Sequence, residues 1–299
     1  MTRSSLKLRP LQERGRGRHA SWLELFFDLV FVVAITQIAH QLDQINLAHL
    51  LAFVGLLSMV WWTWLAYTFF ADFFENGALL YRIAMFLAMF GVIGLAVNAG
   101  DVQTTGGTGF AVSSVIVHAV LFLLYWRVAR AVPVARQFAG LAIQTYGVSG
   151  LIWLASVFTP PPWRFWLWAA ALTFEIANSL RSNQTTRTMP FDADHIAERL
   201  GLFTVLVLGE AVLSLTRGLG QVSLGLPITL MALAGFGVLA LLWWLYFDLT
   251  EVNVVGHGWS LRFLVFLYTH LPLSLGIVII GVGVGKMLVL SHTDSEYIS

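Results

Sequence analysis

The chain has no cysteine, which excludes disulfides, thiolate metal sites and cysteine nucleophiles. Charge is scarce: Asp, Glu, Lys and Arg make up 11% of 299 residues, against about 25% in a soluble domain. A soluble protein of this length could not coat its surface with so few charges. No Walker-type phosphate loop occurs, so direct ATP drive would have to come from a partner. No His-Glu-x-x-His zinc motif occurs either, and His195 and Glu198 at i, i+3 supply two ligands at most. Apolar residues, by contrast, make up 58%, and the mean hydropathy is +0.78. Lipid is therefore the expected solvent for most of the exterior.

The apolar residues fall into runs near 22–42, 47–70, 80–100, 109–131, 137–158, 163–180, 198–217, 225–248 and 262–287. Each approaches the roughly 20 residues that span a bilayer as a helix. None alternates with the two-residue period of a membrane barrel strand. Breaks carry turn chemistry at Asn76-Gly77, Gly106-Gly107, Pro160-Pro161-Pro162 and Gly256-His257-Gly258. The expected fold is an all-α, polytopic transmembrane bundle of about nine spans. It divides into a basic tail (1–20), a helical domain (21–290) and a short C-terminal tail (291–299).

The basic tail holds Arg3, Lys7, Arg9, Arg14, Arg16 and Arg18. It reads as an orientation signal rather than a signal peptide, because Glu24 and Asp28 interrupt the following run and no small-x-small site closes it. Nucleic-acid binding is the less favoured reading of the tail, and no nucleic-acid partner is expected. With the N-terminus cytoplasmic and nine crossings, the inside ends also hold Arg82, Arg127, Arg130, Arg136, Arg181, Arg187, Arg199 and Arg262. That is 14 of 17 basic residues; Arg164, Arg217 and Lys286 fall outside. The bias favours this orientation over its inverse, in the inner (plasma) membrane, with the C-terminus outside.

Polar residues within apolar runs need partners, since a charge at the bilayer centre costs about 2.5–3.5 kcal/mol on insertion scales. The first run carries Glu24 and Asp28 four apart, and Thr36 and His40 four apart, so each pair shares a helix face. The seventh opens with His195, Glu198 and Arg199 and carries Glu210 deep inside. His118 and His270 lie near the middles of the fourth and ninth runs, and Pro272 breaks the backbone ladder of the ninth. Two groups result. Glu210, Asp28, His270, Glu24, His40 and Thr36 are candidates for an ion or proton pathway. Arg82, Arg262, Glu198, Arg199, Asp72, Asp248 and Glu175 form a candidate cytoplasmic charge network, built either as ion pairs or as a solvated vestibule. Arg82 and Arg262 are expected to pair with Asp28, Asp72, Glu198 or Asp248. Glu210 reads equally as a protonated acid bonded to a neighbouring helix or as a proton- or cation-carrying carboxylate.

The first run reads Glu24-Leu-Phe-Phe-Asp28, then Ala34-Ile-Thr-Gln-Ile-Ala-His40. The seventh reads His195-Ile-Ala-Glu198-Arg199, then Gly209-Glu210, and the ninth carries Tyr268-Thr-His270-Leu-Pro272. Together these resemble the bacterial low temperature requirement A (LtrA) family over residues 21 to about 280. The resemblance implies a multi-pass bacterial membrane protein. It brings no substrate or catalytic residue, and the family's name records growth in the cold. Members often continue with further helices, whereas this chain ends after the ninth.

A candidate internal repeat relates 21–100 to 195–285. Shifted by 180, Trp64, Leu65, Arg82, Phe86, Leu87 and Leu95 meet Trp244, Leu245, Arg262, Phe266, Leu267 and Leu275. Repeats of this kind are common in transporters. The favoured function is a transporter or channel-like permease with proton or ion coupling, moving a small solute or ion, with membrane lipids and a further copy of the chain as other partners. It has no catalytic residues, metal or cofactor. The alternatives are a membrane-embedded enzyme, a haem carrier with His118 and His270 as axial ligands, and a sensor or scaffold for cold adaptation.

Overall fold

A computed structural model describes residues 19–44, 46–74, 78–100, 102, 106–181, 189, 192–249 and 259–298, with the side chains of 181, 249 and 292–298 outside that description. Most of the basic tail, the turns at 75–77 and 256–258, Arg187, Glu251 and the side chains of the C-terminal tail beyond Ser291 lie outside it.

The described residues form nine α-helices and no strand: α1 (Trp22–Ala39), α2 (Leu47–Phe74), α3 (Leu79–Ala99), α4 (Thr108–Ala131), α5 (Arg136–Val157), α6 (Trp163–Arg181), α7 (Ala193–Leu219), α8 (Leu226–Leu249) and α9 (Leu261–Ile298). A 3₁₀ turn, His40–Asp43, extends α1, and another, Pro133–Ala135, precedes α5. Seven helices are long and apolar enough to cross a membrane: α1 with its 3₁₀ turn, α2, α3, α4, α5, α8 and α9. The protein is thus a multi-pass membrane protein. The other two, α6 and α7, carry Arg164, Glu175 and Arg181, and Asp194, Glu198, Arg199, Glu210 and Arg217.

Helix starts are written in local chemistry. Ser21 and Glu24 form a reciprocal capping box: Ser21 N–H donates to Glu24 Oε2 at 2.8 Å and Glu24 N–H to Ser21 Oγ at 3.3 Å. Asn46, Asp192 and Ser260 accept from the third residues of α2, α7 and α9 in the same way. Gly106 and Gly107 turn the chain into α4 with φ of 70° and 74°, left-handed values that only glycine adopts cheaply. A Cβ on Gly107 would also strike the Trp168 ring.

The chain resolves into two compact units. One holds residues 1–38 and 55–196; the other holds 39–54 and 197–299. In the first, α3 packs on α4, α4 on α5 and α5 on α6. Its interior is aromatic: Phe70 meets Tyr125 edge-on with centroids 4.9 Å apart, and Tyr67 donates its hydroxyl to Val117 O at 2.7 Å.

The second unit packs through small residues. A Cβ on Gly281 would stand 2.5 Å from Ala211 Cα, and one on Gly285 would stand 2.5 Å from Ser214 O. Gly281 and Gly285 make a GxxxG on α9 that lets its backbone approach α7, as such motifs do in lipid. Beside this crossing, Leu215, Ile228 and Leu288 form a small apolar core.

Some of the residues matched by the candidate repeat sit in unlike surroundings. Trp64 is buried and Trp244 is 60% exposed, while Leu87 is 49% exposed and Leu267 buried.

Candidate functional site

In the first unit, α1 presents Glu24 and Asp28 one turn apart, both fully buried. Asp28 Oδ1 accepts from the indole of Trp64 at 2.6 Å. The imidazole of His195 lies between two carboxylates. Its Nδ1 is 2.9 Å from Asp72 Oδ1 and its Nε2 is 3.4 Å from Glu24 Oε1. The far oxygens of both acids accept backbone N–H groups at helix starts: Asp72 Oδ2 from Asp192 at 3.1 Å, and Glu24 Oε2 from Ser21. The cluster therefore ties the start of α7 to the start of α1 and the end of α2.

A second buried cluster centres on Glu175 of α6. Its Oε1 is 2.9 Å from His118 Nε2 and also accepts the hydroxyl of Ser149. His118 Nδ1 is 2.7 Å from Ser114 O. A carbonyl only accepts, so Nδ1 carries a proton. The Nε2 contact must then hold a second proton, on the imidazole or on the carboxylic acid. The space around the pair has no room for a water molecule.

His270 is arranged differently. Nδ1 donates to Phe266 O at 2.6 Å and Nε2 lies 2.8 Å from the Tyr246 hydroxyl. With Nδ1 protonated, Nε2 of the neutral ring accepts from Tyr246. Both nitrogens of His118 and of His270 are thus engaged, and axial ligation of a haem by either would break a bond already made.

In the second unit a cavity of about 690 Å³ lies against α7 and α9, with Ser214, Arg217, Gln221, Gly285, Lys286, His40 and Asp43 in its walls. Lys286 donates to Asp43 O at 2.6 Å and approaches its carboxylate at 3.9 Å; His40 Nδ1 is 3.2 Å from Asp43 Oδ2. Behind this wall sits Glu210, only 1% exposed. Its Oε1 is 3.4 Å from Arg217 Nη1 and 3.3 Å from Ser214 Oγ. Positions 210, 214 and 217 share one helix face, so α7 carries a polar line from the cavity to a deeply buried acid.

The three basic residues that break the charge bias are each held. Arg217 faces Glu210 and Lys286 faces Asp43. Arg164 donates to Ser156 O, Val157 O and Gly106 O, capping the end of α5.

Of the expected pathway residues, Glu24 joins the His195 cluster and Asp28 the Trp64 indole. Thr36 donates to Val32 O on its own helix, and His40 lines the cavity. Of the expected network, Asp72 meets His195, Glu175 meets His118, Arg199 is buried, Glu198 is half-buried, and Asp248 accepts from Trp244 on its own helix. Arg82 and Arg262 are exposed, and among the described residues no ion pair joins either to Asp28, Asp72, Glu198 or Asp248. At the membrane boundary a long guanidinium side chain reaches water or headgroups without a carboxylate. Sequence reasoning passed over Ser149, and treated Lys286 and Arg217 only as exceptions to the charge bias. The seven-residue spacing of Arg217 from Glu210 was the available signal. Among the described residues no three His, Asp or Glu side chains are placed to hold a metal ion.

Residues 19–298 match the bacterial low temperature requirement A protein (LtrA) family. The chain belongs to this family. A protein described as uncharacterized protein RA0937 of Rhizobium meliloti (strain 1021) is 28% identical over 282 residues, covering 88% of this chain and 68% of that protein. No solved structure matches.

Proposed function

We propose that this LtrA protein is a proton-coupled permease of the inner membrane, crossing it nine times with the N-terminus in the cytoplasm. The observation that carries the reading is the cavity of about 690 Å³ whose Ser214 and Arg217 lead to the buried Glu210. An ionised Glu at that depth is held by Arg217; protonating it would release the guanidinium to the cavity. Arg217 and Lys286 would then form a site for the negative group of a small solute, so that proton and solute load together. No bond of the solute needs to be made or broken.

Two contacts support the crossing count. α7 begins beside Glu24, at the start of α1, and its last turn faces the His40–Asp43 turn that follows α1. If α1 to α5 cross in turn, α5 ends on the side opposite Glu24, and α6 has to carry the chain back. At 19 and 27 residues, α6 and α7 would be about 28 and 40 Å long, enough to span. Glu175, Arg199 and Glu210 are all buried, so these charges do not face lipid.

The test is purified protein in liposomes that enclose a pH-sensitive dye, offered small monovalent organic anions one at a time under an inward proton gradient. Acidification that depends on one of these solutes is expected. Solute flux that leaves the internal pH unchanged would contradict proton coupling.

A further inference from the structure

We propose that the groove between the starts of α1 and α3 is a binding site for an anionic phospholipid, with Arg82 holding its phosphate. The groove encloses about 440 Å³ between Ser21, Trp22, Leu23 and Phe26 on one side and Tyr81, Arg82 and Phe86 on the other. Its walls are those of a lipid site: Phe26 and Phe86 are each about half exposed. The flank continues along Ile83, Leu87 and Phe90 of α3, also about half exposed or more. In a membrane protein these surfaces meet acyl chains.

Arg82 is the one charged residue of α3. It lies in the first turn, exposed, with no carboxylate bound to it among the described residues. A guanidinium there is at headgroup depth, and its planar fork matches two phosphate oxygens. Trp22, 88% exposed at the start of α1, is placed as indoles are at the membrane interface. Ser21 Oγ accepts from Glu24 N–H, which leaves its own hydroxyl hydrogen to donate to a phosphate or glycerol oxygen. Cation at the mouth and aromatic walls below suit a molecule with a phosphate head and an apolar tail, which a free phosphate lacks.

The test is native mass spectrometry of the full-length protein, delipidated in detergent and offered equimolar phosphatidylglycerol and phosphatidylcholine with identical chains. The wild type is expected to retain phosphatidylglycerol preferentially. Arg82→Gln should reduce that preference about tenfold, the usual scale for losing a charge-assisted pair, and Arg82→Lys should reduce it less. Arg262→Gln should leave it unchanged. Equal retention of the two lipids by the wild type would overturn the proposal, and so would an undiminished preference in Arg82→Gln. Displacement of phosphatidylglycerol by millimolar inorganic phosphate would overturn it too, since the site would then read the phosphate alone. If Arg82→Gln proves unstable, Phe86→Ala supplies the second variant: it should weaken retention of phosphatidylglycerol but not of the short-chain analogue, and equal effects on both would count against the groove.

Discussion

His195 and Asp72 are 123 residues apart in sequence, yet their side chains meet at 2.9 Å with both enclosed by protein. The carboxylate also takes the N–H of Asp192, so one acid fixes both the orientation of an imidazole and the first turn of α7. Asp72→Ala would leave one buried donor, on His195, and one partly buried donor, the Asp192 N–H, without this acceptor. The expected loss is roughly 3 kcal/mol, read as a lower melting temperature in detergent. Asp72→Asn keeps an acceptor oxygen and should lose less. Equal melting of the alanine variant and the wild type would remove the cluster from the fold's supports.

The α7–α9 crossing makes a sharper contrast. Gly285 and Gly283 are two residues apart, but a Cβ on Gly285 would meet the α7 backbone, whereas one on Gly283 meets nothing within 4 Å. Gly285→Ala should destabilise by roughly 1–3 kcal/mol through overpacking. Gly283→Ala should be neutral or slightly stabilising, because alanine favours the helix. Equal melting temperatures for the two variants would show that the close approach is not required.

The crossing count predicts the sidedness of loops. Reporter fusions after Thr104, Arg187 and Gln221 should report outside, inside and outside. An inside signal at Gln221 would contradict a crossing by α7, and an outside signal at Arg187 a crossing by α6.

Seven of the described helices were legible because lipid imposes a long apolar run on each of them. The runs at 80–100, 109–131 and 225–248 match α3, α4 and α8 to within a residue at each end. The run at 198–217 missed the start of α7 at Ala193 because hydropathy discounts Asp194 and His195, yet His195 is buried against protein. The run at 262–287 fell short of Ile298, since the polar end of α9 continues as helix past the apolar stretch. Partners were the harder part. Burial of Glu24, Asp28 and Glu210 follows from cost alone, but nothing local in sequence says that Glu24 faces His195 or that Glu175 faces His118. Such pairs depend on which helix faces meet. Arg217 was within reach, because a basic residue two turns from Glu210 on one helix needs no tertiary knowledge. The GxxxG at 281–285 was also plain in the sequence, and only its facing partners on α7 were not.

The proposed coupling through Glu210 is tested by Glu210→Gln. Glutamine keeps the shape and can still accept from Ser214 and Arg217, but it cannot titrate. The measurement is solute-driven acidification in proteoliposomes, wild type and variant side by side, with folding checked by melting temperature. The expected result is a folded variant whose coupled proton flux falls at least about tenfold, on the scale of losing a positioned proton-transfer group. Wild-type flux with unaltered pH dependence in Glu210→Gln would contradict it.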